Sequence, residues 1–196
     1  MEQITNGREL LMVIAGGKMH TFEDILALPE GERAELIDGE MFMMALPTRG
    51  HQDASGWFFV QIFNYIQAKK GRYRVYNSQF AVFPKKDDKN YVEPDVTVIC
   101  DRNKLDERGC NGAPEWAVEI VSPSSVKMDY ERKRRLYQES GVEEYWIVDL
   151  EKERVRVYRF TEDDQAKDYS FVDTVKPGIY KDLELDLRRL KEYLEG

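Results

Sequence analysis

The stretch EPDVTVIC at 93–100 and the stretch EWAVEIVSPSS at 115–125 decide the fold. Val, Ile, Thr and Trp in short runs predict strands that are buried or half-buried. Each run carries an acid: Asp95 stands behind Pro94, and Glu119 stands between Ala117-Val118 and Ile120-Val121. An acid in such company loses water, so it needs a proton, a partner or a cation. A strand-end acid that caps a neighbouring backbone amide also meets that need. Either acid taken alone leaves both readings open.

The segments around these strands read as helices and further strands. Thr21 and Asp24 have the spacing of a capping pair for a short helix. AELIDGEMFMMA, from Ala34, predicts a hairpin turning at Asp38-Gly39. From His51 to Lys69 the apolar residues Ala54, Trp57, Phe58, Ile62, Tyr65 and Ile66 recur at helical spacing, enough to cover one face of a sheet. YRVYNSQFAVF predicts a strand before the two acidic ones, and the charged 101–114 segment predicts a loop with one helical turn. A second helix over 125–140 ends at Gly141; EEYWIVDL and RVRVYRF are strands; 168–187 predicts a short strand and a loop; LRRLKEYLEG is a terminal amphipathic helix. The opening stretch to about Gly17 is weakly patterned, a peripheral helix or a loose tail. This order predicts an α/β (α+β) fold, a mixed β-sheet flanked by helices.

The second helix carries the most informative residue. At about 100° per residue, Val126, Tyr130, Lys133 and Tyr137 share one face, with Asp129, Leu136 and Ser140 on its flank. Lys133 therefore stands in the stripe that should meet the sheet. A lysine there can snorkel, its stem buried and its ammonium in water. Beside Asp95 and Glu119 it has a second use. Acids that hold a divalent cation, with an ammonium near the developing charge, form a common arrangement for phosphodiester hydrolysis.

EPD, EIVSPSS, the lysine on the following helix and GVEEYWIVD together resemble the Uma-two family of predicted restriction endonucleases, within the PD-(D/E)xK nuclease superfamily. The likeness runs from about His20 to Leu190 and is most specific from Glu93 to Asp149. It implies a restriction-endonuclease-like fold and a metal-dependent DNA endonuclease using Mg2+ or Mn2+. Asp95 matches the Asp of the PD element, and Glu119 the acid of the (D/E)xK element. The usual lysine two residues later is replaced by Val121, and the family lysine corresponds to Lys133 on the next helix. The resemblance also implies a metal-binding role for Glu35, in ELIDGE, and a catalytic role for His51. From the residues alone, Glu35 is equally a hairpin surface acid, and His51 equally a hydrogen-bonding residue at a helix start.

Composition narrows the alternatives. At 196 residues the chain suits a single restriction-endonuclease-like domain over 1–196, with 1–19 a peripheral N-terminal extension. With 29 basic against 37 acidic residues the net charge is −8, which argues against a protein that coats nucleic acid through general basicity. A local basic patch, such as Lys127 with the run 132–135, can still meet a phosphate backbone. Only two histidines are present, so any metal site should be oxygen-rich, which favours Mg2+ or Mn2+ over zinc. Two cysteines, no membrane-length apolar run and no basic leader predict a cytoplasmic protein with reduced thiols and no membrane partner. Ser122, Ser124 and Ser125 lack a following histidine or a nucleophile elbow, and instead suit a strand exit and a helix cap.

Two further functions compete with the endonuclease. One is a catalytically inactive nuclease-fold binding or regulatory module associated with mobile elements or defence. The other is a structural domain in which Asp95, Glu119 and Lys133 form a buried ion-pair cluster. A homodimer is expected because cutting two strands is easiest with two sites, and the aromatic-rich C-terminal strands offer apolar surface for a two-fold interface.

Overall fold

A computed structural model describes residues 18–196, apart from the side chains of residues 163 and 164. The expected N-terminal helix or tail to about Gly17 lies outside the described residues. The first element is a short helix, α1 (Phe22–Leu26), closed by the Thr21/Asp24 capping box. Strands β1 (Ala34–Ile37) and β2 (Glu40–Met43) pair antiparallel around Asp38 and Gly39. Both turn residues take positive φ, +50° and +77°, as an Asp-Gly hairpin turn requires. Thr48 caps α2 (Arg49–Ala68), a long helix whose buried residues include Ala54, Trp57, Phe58, Ile62 and Ile66.

The stretch expected to form one strand after α2 splits into β3 (Arg74–Asn77) and β4 (Val82–Phe83). β5 (Val96–Ile99) follows Asp95. The charged 101–114 segment contains the expected helical turn, Arg102–Lys104, and also a small hairpin, β6 (Leu105–Asp106) and β7 (Gly109–Asn111). β7 runs parallel to β4, which gives the polar segment a partner that local propensity does not reveal. β8 (Trp116–Val121) is followed by a π-helical turn, Met128–Lys133, and then by α3 (Arg134–Ser140). Gly141 ends α3 at φ +87°, the left-handed cap that glycine accepts without strain. The chain continues through β9 (Glu144–Asp149), β10 (Arg154–Arg159), β11 (Asp163–Ser170), β12 (Thr174–Val175) and β13 (Leu185–Asp186) to α4 (Leu187–Glu195).

The main sheet has the order β11-β10-β9-β8-β5-β3. All its neighbours are antiparallel except β8 and β9, which the π turn and α3 connect as a crossover. Alternate residues of the central strands pack on opposite faces, as strand geometry demands. Val96, Val98, Trp116, Val118, Ile120, Trp146 and Val148 join α2 and α4 on one side. Ile99, Ala117, Tyr145 and Ile147 join Leu136 and Tyr137 of α3 on the other. This is the expected mixed sheet with helices on both faces. Tyr145, Trp146 and Tyr158 are buried in these cores, whereas Phe160 and Tyr169 are half-buried. β11 extends the sheet well beyond the short strand expected from residue 168 onward; its polar sequence is held at the edge by Arg154 and Arg156, which both pair with Asp168. Among the described residues no helix is long and apolar enough to cross a membrane.

Candidate active site

The carboxylates converge where β5 meets β8. Val96 lies opposite Val118, which puts Asp95, one residue before β5, beside Glu119 on the neighbouring strand. Asp95 Oδ2 accepts the backbone N–H of Ile120 at 2.8 Å. It also lies 3.2 Å from His51 Nε2, which the first turn of α2 carries over the strand ends. Glu119 shares its strand face with Ala117 and Val121 and so points towards α3.

Lys133 meets Glu119 there. Its Nζ donates to Glu119 Oε1 at 3.0 Å and lies 2.9 Å from Glu35 Oε1 and 4.0 Å from Asp129 Oδ1. Tyr137 donates its hydroxyl to the same Glu119 oxygen at 2.7 Å. The ammonium is buried, so the snorkelling alternative does not describe it. Glu35 is only 4% exposed, which removes the surface-hairpin alternative. β1 is buried on both faces: Ala34 and Leu36 pack with Phe83 and Tyr91, while Glu35 turns to Lys133 and accepts the backbone N–H of Glu93 at 2.9 Å. Glu93 is in turn held by Arg33 and by the hydroxyl of Tyr91.

Asp129 was missed as a site residue, because regular α-helical rotation leaves it on the flank of the inward stripe. The π turn winds more slowly than an α-helix and changes which residues face the sheet. Met128, Asp129 and Lys133 are the buried residues of the turn, while Val126, expected on the inward face, is 40% exposed. The side chain of Ser125 donates to Asp129 Oδ2, and the hydroxyl of Tyr145 donates to the Asp129 carbonyl at 3.0 Å. The only local signal for Asp129 was its position four residues before Lys133.

The charges explain the protonation pattern. Burial, above all, raises the Glu119 carboxyl well above its usual range; Asp95, Asp129 and Glu35 add to the rise and Lys133 opposes it. Asp129 rises to about 7, again chiefly through burial. Burial pulls Lys133 down, but Glu119, Glu35 and Asp129 outweigh it and hold the ammonium charged well above its ordinary range. One cation faces three carboxyls, so the lysine keeps its proton. His51 is likewise pulled down by burial yet raised overall by Asp95 and Asp129. Its Nδ1 is buried with no hydrogen-bond partner.

Among the described residues no group of three or more His, Cys, Asp or Glu side chains is arranged to hold a metal ion. The Lys133 ammonium contacts both Glu35 and Glu119, at 2.9 and 3.0 Å. The basic run 132–135 also differs from the expected positive surface. Arg132 pairs with Glu40 at 2.6 Å and lies over Phe42, Arg134 lies over Tyr158, and Arg135 pairs with Glu139 at 2.6 Å. Ser122 and Ser125 exchange side-chain-to-backbone hydrogen bonds at the strand exit, as the capping reading requires.

The solved structure of "a putative nuclease belonging to DUF820" from Anabaena variabilis is similar to this chain with a TM-score of 0.72 and 21% identity, covering 89% of this chain and 98% of that one. At that identity the likeness establishes the fold. No curated protein matches the chain. The model of the Uma2 family, described as "Putative restriction endonuclease", matches residues 21–188, and the chain belongs to that family.

Proposed function

We propose that this protein is a metal-dependent endonuclease that hydrolyses phosphodiester bonds in DNA. The observation that carries the reading is the buried Lys133 ammonium, held by Glu119 on the strand beside Asp95. A structural role alone explains this cluster poorly, since buried ion pairs contribute little net stability compared with apolar packing.

The donor chemistry fits Mg2+ or Mn2+, which take oxygen ligands and often use one or two carboxylates plus waters and substrate phosphate. Asp95 and Glu119 would hold the ion, each with an oxygen that accepts no hydrogen bond among the described residues, Oδ1 and Oε2 respectively. Glu35 is the further acid of the set. When bound, the cation supplies Lewis-acid polarisation of the phosphate and a lower pKa for an attacking water. The chain's own residues do the rest. The backbone N–H of Ile120 fixes Asp95, and the hydroxyl of Tyr137 fixes Glu119. Lys133 places a permanent positive charge where the phosphate would develop negative charge. His51, with Nε2 3.2 Å from Asp95, can hold a proton beside that carboxylate.

The test is nicking of supercoiled plasmid by pure protein with Mg2+ or Mn2+, set against Asp95→Ala. A cut that persists in the variant would overturn this assignment. One observation favours a second reading, a nuclease-fold binding or regulatory module without activity: Lys133 is engaged by Glu35 and Glu119 at 2.9 and 3.0 Å. Saturating metal with no nicking, but with retained DNA binding, would select it. Cutting both strands with one such site per chain calls for two copies, and the homodimer expectation rests on that stoichiometry.

A further inference from the structure

A cleft of about 550 Å³, separate from the carboxylates, opens at the C-terminal end of α2. α2 is 20 residues long, and at about 1.5 Å per residue the cleft lies roughly 25 Å from His51. It is lined from two parts of the chain, the last turn of α2 with the turn after it, and the segment around Tyr180. Three tyrosines form its aromatic wall. The Tyr65 and Tyr73 rings lie 4.9 and 5.7 Å from that of Tyr180, and Tyr73 is 38% exposed, which leaves ring surface open to solvent.

The charges around these rings are mostly positive. Asp182 is the acid among the lining residues, and it is already engaged by Lys69 and the Tyr65 hydroxyl. Lys70, Arg72 and Lys181 line the same cleft, are exposed, and have no side-chain hydrogen bond or ion pair among the described residues. Other exposed cations, such as Lys127 and Arg189, are also without an ion pair among the described residues, whereas here three of them gather around open ring surface. Lys70 also holds φ at +51°, a conformation in which glycine or asparagine would be more relaxed. The position gives up local backbone comfort and presents an ammonium.

We infer that this cleft binds a single-stranded nucleic-acid segment, with a base stacked on Tyr73 and phosphates met by Lys70, Arg72 and Lys181. Open aromatic faces interleaved with unpaired cations are what single strands need, since every base offers a π face and every linkage a negative charge. Duplex backbone would use the cations but not the rings. The inference builds on nucleic acid as the substrate class, but it concerns a surface separate from the carboxylates, and its test needs no catalysis.

The experiment measures fluorescence anisotropy of labelled short oligo(dT) with the Asp95→Ala protein, without added metal, across a salt series. The triple variant Lys70→Asn, Arg72→Gln, Lys181→Gln is expected to weaken binding at low salt and to lower the log–log salt slope by about 2, at about 0.7 per lost phosphate contact. Tyr73→Ala is expected to weaken binding about tenfold while leaving the salt slope unchanged, the signature of stacking. All four substitutions fall at exposed positions, and Lys70→Asn relaxes its backbone, so the fold should tolerate them; circular dichroism checks this. Unchanged oligo(dT) binding in the triple variant overturns the inference. So does a silent Tyr73→Ala, or equal binding of poly-glutamate, because either would mark a general anion patch. Loss of plasmid nicking has no bearing on these outcomes, so this inference and the endonuclease reading fail separately.

Discussion

The ammonium of Lys133 lies 2.9 Å from a carboxylate oxygen of Glu35, so the N-terminal hairpin and the crossover helix are joined through a buried ion pair. Glu119 shares the same ammonium at 3.0 Å. One cation therefore neutralises acids from two different strands, and its loss would be felt by both.

Lys133→Ala is expected to lower nicking by about 10²- to 10³-fold, the usual cost of one electrostatic contact in a preorganised site. It should also destabilise the fold at pH 8 by about 3–5 kcal/mol, because truncation leaves buried acids without their partner. At acid pH, where those carboxyls bind protons, the stability difference should shrink. Urea unfolding at the two pH values measures this. Equal losses at both would mean that the acids do not depend on the lysine's charge.

Asp129→Asn should change how stability depends on pH. The folded-state carboxyl titrates at about 7, against an ordinary value of 3.8. Between those values the folded protein binds more protons than the unfolded chain, so stability falls as pH rises through that window. Glu119, also raised, slopes the same way. The asparagine variant removes one contribution, so its melting temperature should decline less between pH 4 and 7 than the parent's. An identical decline would refute the raised Asp129 carboxyl.

Millimolar Mg2+ or Mn2+ should raise the melting temperature of the parent protein, since a ligand that binds only the folded state stabilises it by about 2.7 kcal/mol at a hundredfold excess over Kd. Asp95→Ala and Glu119→Ala should lose this response, whereas Lys133→Ala should keep it. Isothermal titration with metal provides the direct check. A parent protein indifferent to both ions would count against carboxylate-held metal.

Arg135→Ala is the matched control on the same helix. Its guanidinium is exposed and, among the described residues, pairs with Glu139, a surface contact that solvent screens to little net stability. Nicking should stay at the parent rate and the unfolding midpoint should barely move. A large loss of activity would show that the outer face of α3 takes part.

Much of this arrangement was legible in the chain. Asp95 and Glu119 announced themselves as acids inside β-branched runs, and Lys133 as a cation on an apolar helix face. Both are violations of local pattern, which is where sites tend to be. Asp129 was not legible, because its burial depends on a π turn that no propensity encodes. Glu35 stayed ambiguous for another reason. Strand alternation separates the two faces of a hairpin, but only tertiary packing shows that both are covered. β11 was largely missed because its polar residues lack strand preference and are held by cross-strand ion pairs with β10.

The crossover between β8 and β9 also bears on how the centre is assembled during folding. Lys133 and Glu119 are 14 residues apart in the chain, whereas the Glu35 bond to Glu93 spans 58. Short loops close at lower entropic cost than long ones. The strand–helix–strand unit should therefore form its lysine–glutamate contact early, with the ammonium still partly hydrated. Docking of the N-terminal hairpin, which closes a longer loop, should follow and exclude the remaining water, so sealing of the centre is expected to come after its lysine–glutamate contact has formed.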